Sequence, residues 1–549
     1  MLINIFRITI LFLSIIILGC SQKSSVENRL DQQVLLKHIE EIASDKFLGR
    51  KPATKGEEVT ISYLVDEYKK LELLPLNGDS YLQPVPFVEI SPEYPKQLLI
   101  KGKSGSVVLN HGNDFVAVTK RIEEKIEVLN SDIVFAGYGI VAPEYNWNDY
   151  EGIDVKNKIV IVMVNDPGYA AADPNLFTGK KMTYYGRWTY KYEEAARQGA
   201  AGVLIIHEDG AASYPWGVVQ NGRIGPQFVV DDGNKNKSKC KFEGWITLSK
   251  AKEIFSLAGL ILDDELKAAA QRGFKSKQMG LNTSLVMNNK LKFLTTNNVL
   301  GYFPGSERPD EYVFYMAHWD HFGYDSTLTT EDKIYNGAVD NATGVAGILT
   351  IARAIKSLPE KPKRSAVFFA ITLEEFGLLG SNYYVNHPLV PIEKTVAAIN
   401  LDGLNIFGPT KNFSVIGLGL SELDNYIREE ADKMGKTLMS EMNPEAGSFF
   451  RSDHFNFAKT GVPAVYISAG NEHITQPKDY MKNVSDKWVR ENYHKVTDNY
   501  DPANWNFEGM MEQLQFVYNV STRLIDGTTF PNWNENTPYK KIRDEMLKK

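Results

Sequence analysis

Between Tyr312 and His494 the chain sets imidazoles and carboxylates at a spacing that suits metal chemistry. His318, Asp320 and His321 crowd the end of a β-branched and aromatic run, Tyr312 to Ala317, in YVFYMAHWDH. Such a run reads as a buried strand whose C-terminal edge is a place for side chains to converge. Asp340 follows in GAVDNATG, Glu374 and Glu375 in TLEEFG, Asp402 in NLDG and His494 in YHKVTD. Each sits at or near a predicted strand end or in the loop after one. His318, Asp340, Glu375, Asp402 and His494 make two imidazoles and three carboxylates, a borderline nitrogen and oxygen set suited to zinc, with cobalt or manganese as alternatives. Two ions fit the set better than one. With one carboxylate shared, each ion would receive one histidine, one private carboxylate and the shared one, and a position would stay open for water.

The adjacent pair Glu374-Glu375 adds a second function. Neighbouring side chains on a strand or turn point in different directions, so one can hold metal while the other faces the water. A metal lowers the pKa of water from about 15.7 towards 7, and a carboxylate beside it can take the proton and pass it to a leaving amine. No other general base is evident in the sequence.

Positioning these groups requires alternating strands and helices, and from Asn297 onward that is the texture. Strand patterns fall at Arg364 to Thr372, Val396 to Leu401, Phe413 to Gly417 and Val462 to Ser468, and helix patterns at Val345 to Leu358, Ser421 to Met434 and Met510 to Ile525. The expectation is an α/β domain, a mixed and mostly parallel sheet sandwiched between helices, with its site at the carboxyl edge of the strands. Two helices are expected between Gln33 and Leu71, interrupted at Leu48-Gly-Arg-Lys-Pro52, and a strand from Tyr81 to Ile90. Residues 96–285 differ, with short β-like runs such as Gln97 to Ile100, Ser131 to Ile140, Lys158 to Val164 and Gly202 to His207. They read as a β-rich inserted module, leaving a discontinuous domain of 33–95 and 286–549.

The 549 residues suffice for two to four domains, and 43% hydrophobic with 23% charged is an ordinary globular balance. A net charge of -7 gives no basic footprint and argues against nucleic acid as a partner. Cys20 and Cys240 are too few for a disulfide framework, and Cys240 reads as a buried, inert thiol. Arg7, an apolar run from Ile8 to Leu18 and then Gly19-Cys20 resemble a bacterial lipoprotein signal, residues 1–20, followed by a polar tether over 21–32. That resemblance implies acylation of Cys20, an extracytoplasmic location and attachment to a membrane.

HWDH, GAVDNATG, TLEEFGLLGS, NLDG, RSDHFNFAKTGVP and YHKVTD, in that order, resemble the motifs of the di-zinc M28 peptidase family. Its members include secreted bacterial aminopeptidases, glutamate carboxypeptidases and the transferrin receptor. The resemblance implies two zinc ions per chain, bridged by Asp340, with His318 and Asp402 on one and Glu375 and His494 on the other. It implies that Glu374 is the general base and that Asp320 orients a ligand imidazole by accepting its other N–H. It also implies a cis peptide between Asp340 and Asn341, and a place for Tyr493 near a peptide substrate. The stretch VFAGYGIVAPEYNWNDYEGIDVKNKIVIVMVNDPG, with YEEAARQGAAGVLIIHED after it, is similar to a protease-associated domain inserted in such peptidases.

Other residues admit two readings. The run TYYGRWTYKY, Thr183 to Tyr192, reads as a lid over the cleft or as packing within the module or against its neighbour. His321 and His454 read as substrate-pocket residues, as supports of the ligands or as merely structural, and Asp453 as a cap on the helix that starts near His454. Arg451 is a candidate cation for a substrate carboxylate. The resemblance implies a zinc exopeptidase, foremost an aminopeptidase; a carboxypeptidase or dipeptidase, a glutaminyl-cyclase-like acyltransferase and an inactive binding protein are its rivals. An intact Glu374-Glu375 pair argues against the last.

Overall fold

The structure is a computed structural model that describes residues 29–171, 173, 175–535 and 537–548. Cys20, the leader and the start of the tether lie outside the described residues. None of the described helices is long and apolar enough to cross a membrane.

The centre of the second half of the chain is a set of parallel strands. Arg364–Ile371, Arg308–His318, Thr395–Asn400 and Ala464–Ala469 pair in that order. Asn412–Ile416 extends the sheet antiparallel beyond Ala464–Ala469, and Lys277–Phe303 pairs antiparallel with Arg364–Ile371 on the other side. Arg364–Ile371 and Thr395–Asn400 are buried throughout, and Arg308–His318 from Val313 onward, as strands covered on both faces require. Alternate residues face opposite layers. Val313, Tyr315 and Ala317 join the cluster that contains the helices Gln32–Ile42, Thr343–Lys356 and Phe507–Asp526, whereas Phe314 and Met316 join Tyr384, Phe455, Phe457 and Trp533. A sheet between two helical layers results, as expected.

Residues 98–287 build two further apolar cores on a second parallel group, Lys125–Phe135, Ile159–Met163, Gly202–His207 and Phe242–Thr247. This region also carries helices such as Trp188–Arg197 and Leu248–Leu257, so it is less purely β than its sequence suggested. The boundary expected at 285/286 falls inside one uninterrupted strand, Lys277–Phe303. The first half of that strand pairs with Lys125–Phe135 and its end with Arg364–Ile371.

The aromatic run packs rather than standing free. Met182 belongs to the core that holds Phe449, Phe450 and Phe455, and its N–H donates to the Pro444 carbonyl at 3.0 Å. Tyr184 lies 5.0 Å from Phe455 between ring centroids. Lys459 donates to the Tyr184 hydroxyl and to Glu193, both at 3.0 Å.

Candidate metal centre

The carboxyl ends of the parallel strands deliver the cluster. His318 is the last residue of its strand, Glu374 and Glu375 follow Arg364–Ile371, and Asp402 follows Thr395–Asn400. Asp340 comes from the turn that opens the helix Thr343–Lys356, and His494 from a loop where its own φ is +56°. Leu373, at φ +56°, turns the chain just ahead of the two glutamates.

The five predicted ligands meet. His318 Nε2 lies 3.2 Å from Asp340 Oδ1 and 3.3 Å from Asp402 Oδ1. His494 Nε2 lies 3.3 Å from Asp340 Oδ2 and 3.2 Å from Glu375 Oε2. Asp340 therefore turns one oxygen to each histidine, the arrangement a shared carboxylate needs. Ligand arms of about 2.0–2.1 Å around a tetrahedral ion place neighbouring donors about 3.3 Å apart. The observed separations fit zinc at both places.

The local hydrogen bonds set the imidazole that faces the acids. His318 Nδ1 donates to the Asp320 carbonyl at 3.1 Å, which leaves the Nε2 lone pair free for an ion. The Asp320 carboxylate was expected in that role, but its Oδ1 stands 4.0 Å away and instead accepts the Glu374 N–H at 3.1 Å. Asp320 thus positions Glu374 through the main chain and His318 through its carbonyl. Glu374 Oε2 comes within 4.0 Å of His318 Nε2, beside the ligands without joining them.

Electrostatics point the same way. Burial, then the neighbouring Asp402, Asp453 and Glu375, pushes the Glu374 carboxyl well above its ordinary range. Burial disfavours charge on His318 and His494 too, yet the acids outweigh it and hold both imidazoles above their usual value, His494 at about 10. A buried site so rich in carboxylates binds protons tightly when nothing else is offered, and divalent cations are the natural replacement.

Several supporting residues were not singled out in the sequence. Asp498, in YHKVTD, accepts the N–H groups of Val339 and Asp340, each at 3.0 Å. Asn341 follows the cis peptide Asp340-Asn341, which is present as expected. Its side chain ties that turn to the Asp402 loop, accepting from Gly403 at 2.9 Å and donating to Leu401 at 2.9 Å. Arg50, read only as part of an interruption, donates to the carbonyls of Trp319 at 2.8 Å and Gly337 at 2.9 Å and so fixes the loops of His318 and Asp340. Ser452 donates to Asp402 Oδ2 at 2.6 Å.

Further expectations can be set against the structure. His321 is buried with its Nδ1 on Glu375 Oε1, and with Asp340 and Glu375 it forms a second group able to hold a cation. His494 faces the same two acids from the solvent side. His454 does not line an open pocket: it is buried between Phe449 and Tyr466 and neither ring nitrogen has a partner. Asp453 does not cap the helix His454–Lys459; it accepts the Ser381 hydroxyl at 2.5 Å. Tyr493 is exposed and stacks on His494 with centroids 3.8 Å apart. Cys240 is buried and free, as read from the sequence. A cavity of about 770 Å³ lined by Phe407, His473, Trp488 and Trp505 contains none of the five ligands.

Residues 298–518 match peptidase family M28. That stretch of the chain is similar to peptidase family M28. The match spans the strand end with His318 and continues past His494, so all five ligand positions and Glu374 fall inside it. Aminopeptidase NAALADL1 of Mus musculus is 34% identical over 172 residues, 27% of this chain and 22% of that protein. Aminopeptidase YwaD of Bacillus subtilis (strain 168) is 28% identical over 218 residues, 37% of this chain and 44% of that protein. The chain thus spans less than half the length of these curated relatives. The fold is shared more widely with the structure of an aminopeptidase from Aneurinibacillus sp. strain AM-1, at a TM-score of 0.50 and 18% identity over 92% of this chain and 98% of that one.

Proposed function

We propose that this chain is a zinc-dependent exopeptidase, foremost an aminopeptidase, that holds two zinc ions per chain. The observation that carries the reading is the division of Asp340 between His318 and His494, with Asp402 and Glu375 as the private carboxylates. Zinc in that cluster supplies Lewis acidity, activating water and polarising the scissile carbonyl. The chain's own residues do the rest. Glu374, held by the Asp320 contact to its N–H, takes the proton of the attacking water and returns it to the departing amine. Its raised proton affinity suits it to carry that proton between the two steps. Asp498, Asn341 and Arg50 keep the ligand loops in register, so the site is arranged before substrate arrives.

The relatives named aminopeptidases support the choice of an N-terminal cut. Comparing an N-acetylated with a C-amidated peptide on zinc-loaded protein tests it. An aminopeptidase cleaves only the amidated one; cleavage of the acetylated peptide alone would make the enzyme a carboxypeptidase. Release of pyroglutamate with one zinc bound would make it a cyclase-type acyltransferase.

The leader motif supports a lipid anchor on Cys20, an extracytoplasmic location with attachment to a bacterial membrane, and residues 96–285 a protease-associated role toward peptide substrates. Replacing Cys20 by Ser should release the protein from the membrane fraction. Retention of that variant in the membrane would remove the anchor from the reading.

A further inference from the structure

Within the ligand motifs, Nε2 of His321, both nitrogens of His454, and Nε and Nη2 of Arg451 are buried and meet no hydrogen-bond partner. Arg451 lies 5.7 Å from the centroid of the Tyr214 ring, and His454 fills the space between Phe449 and Tyr466. Only His321 also grips a metal ligand, through Nδ1 on Glu375 Oε1.

That contact is unlike those of the other two imidazoles. His318 Nε2 stands 3.2 and 3.3 Å from Asp340 and Asp402, and His494 Nε2 stands 3.3 and 3.2 Å from Asp340 and Glu375. Donors around one tetrahedral ion are spaced in that way. His321 Nδ1 and Glu375 Oε1 are in direct hydrogen-bond contact, too close together for both to ligate one ion. A proton belongs between them. His321 is therefore the Nδ1–H tautomer, and the Nε2 lone pair is the one left without a partner. The oxygens of Glu375 are thus divided, Oε1 to the fully buried His321 and Oε2 towards His494, whose side chain is partly exposed.

The chain is shaped round the His321 ring. Gly337 precedes the turn with Asp340, and a Cβ there would stand 2.6 Å from Cδ2 and 2.7 Å from Cγ of His321. Its φ of +51° also favours glycine. On the other side Phe322 packs at 4.8 Å between ring centroids, and Tyr335 at 6.5 Å. The imidazole is held in place with its N–H on Glu375.

A carboxylate whose second oxygen is free can turn both to an ion, as larger, oxygen-preferring ions with six or more ligands use it. One whose second oxygen is committed to an N–H offers a single donor, which suits four-coordinate zinc. We propose that His321 is a positioning residue that fixes Glu375 as a one-oxygen ligand, and so tunes the position beside His494 for zinc over manganese. This rests on the two-zinc reading and deepens it.

The test titrates zinc, and separately manganese, into the metal-stripped full chain against a chelator of known affinity. The position beside His494 is recognised as the affinity that His494→Ala removes. In His321→Leu zinc at that position should weaken about 10- to 100-fold and manganese by less, so that the preference for zinc falls about tenfold. His321→Gln, polar but with its amide at the place of Nε2, should behave in the same way. His321→Asn, whose amide N–H takes the place of Nδ1–H, should restore most of the zinc affinity and of the preference. A preference unchanged in the Leu and Gln variants overturns the proposal. Loss of zinc in His321→Asn as complete as in His321→Leu overturns it too, since His321 would then be a ligand. Unfolded chain in a preparation lowers the amount of metal bound and leaves the constants unchanged. A parent chain that binds a single zinc overturns the two-zinc reading and the proposal with it, whereas two zinc ions with unchanged variants overturn the proposal alone.

Discussion

The two histidines of the metal centre reach the two oxygens of Asp340 from unlike supports. His318 ends a buried strand, its side chain 2% exposed and its Nδ1 held by a carbonyl two residues on. His494 sits on a loop with its side chain 37% exposed, held mainly by stacking against Tyr493 and by Phe322, whose ring centroid is 4.8 Å away. One half of the site is part of the sheet; the other is applied to it. The difference assigns rigidity to the His318 and Asp402 side, where Glu374 also lies, and adaptability to the His494 side.

The largest effect should come from a residue on the rigid side. Glu374→Gln should keep its metal content, measured by elemental analysis, while kcat falls about 10³-fold or more. A fully active variant would remove Glu374 from the mechanism. Next comes a direct trial of the two supports. His318→Ala should lose metal and also lower chemical-denaturation stability by about 2–3 kcal/mol, as removal of a buried, hydrogen-bonded group does. His494→Ala should lose about one equivalent of metal and much of its activity with less than about 1 kcal/mol of stability. Equal destabilisation by the two variants would erase the contrast.

Away from the ligands, buried neutral histidines give a pH effect. Burial lowers His38 to about 4 and His454 to about 3. With folded values below the unfolded value of about 6.5, the unfolded chain binds more protons in between. Their stability is present in full above about pH 6.5 and is lost as the pH falls towards 4, by up to about 3 kcal/mol for His38. Denaturation midpoints across that range should drop less in His38→Gln. The smallest effect belongs to the latch between the two parts of the chain. Lys459→Met removes the contacts to Glu193 and Tyr184 and should lower stability by about 1 kcal/mol.

The rigid half was also the more legible one. An apolar run that stops at His318, and another that stops before Glu374 and Glu375, announce strand ends because side-chain alternation and burial act over a few residues. His494 was readable only through the motif around it, since a loop residue at positive φ carries no periodic signal. Arg50 could not be read at all: its acceptors at Trp319 and Gly337 lie 269 and 287 positions further along the chain, and main-chain carbonyls have no residue type to betray them. Asp498 stayed hidden for the same reason, because it binds amides and not side chains. His454 stayed open between a pocket and a structural role because an imidazole beside a motif can equally fill a space between Phe449 and Tyr466, as it does. The boundary at 285/286 missed because Lys277–Phe303 carries one unbroken extended pattern through both regions.

That continuous strand has a mechanical meaning. Excising residues 96–285 would remove the start of that strand and, with Gln227–Val230, one of the two partners of the Leu82–Glu93 strand. The inserted region is therefore no detachable appendage. Hinge-like swinging about this seam would tear ladder hydrogen bonds, and the contacts of Lys459 with Glu193 and Tyr184 hold the two parts together a second time.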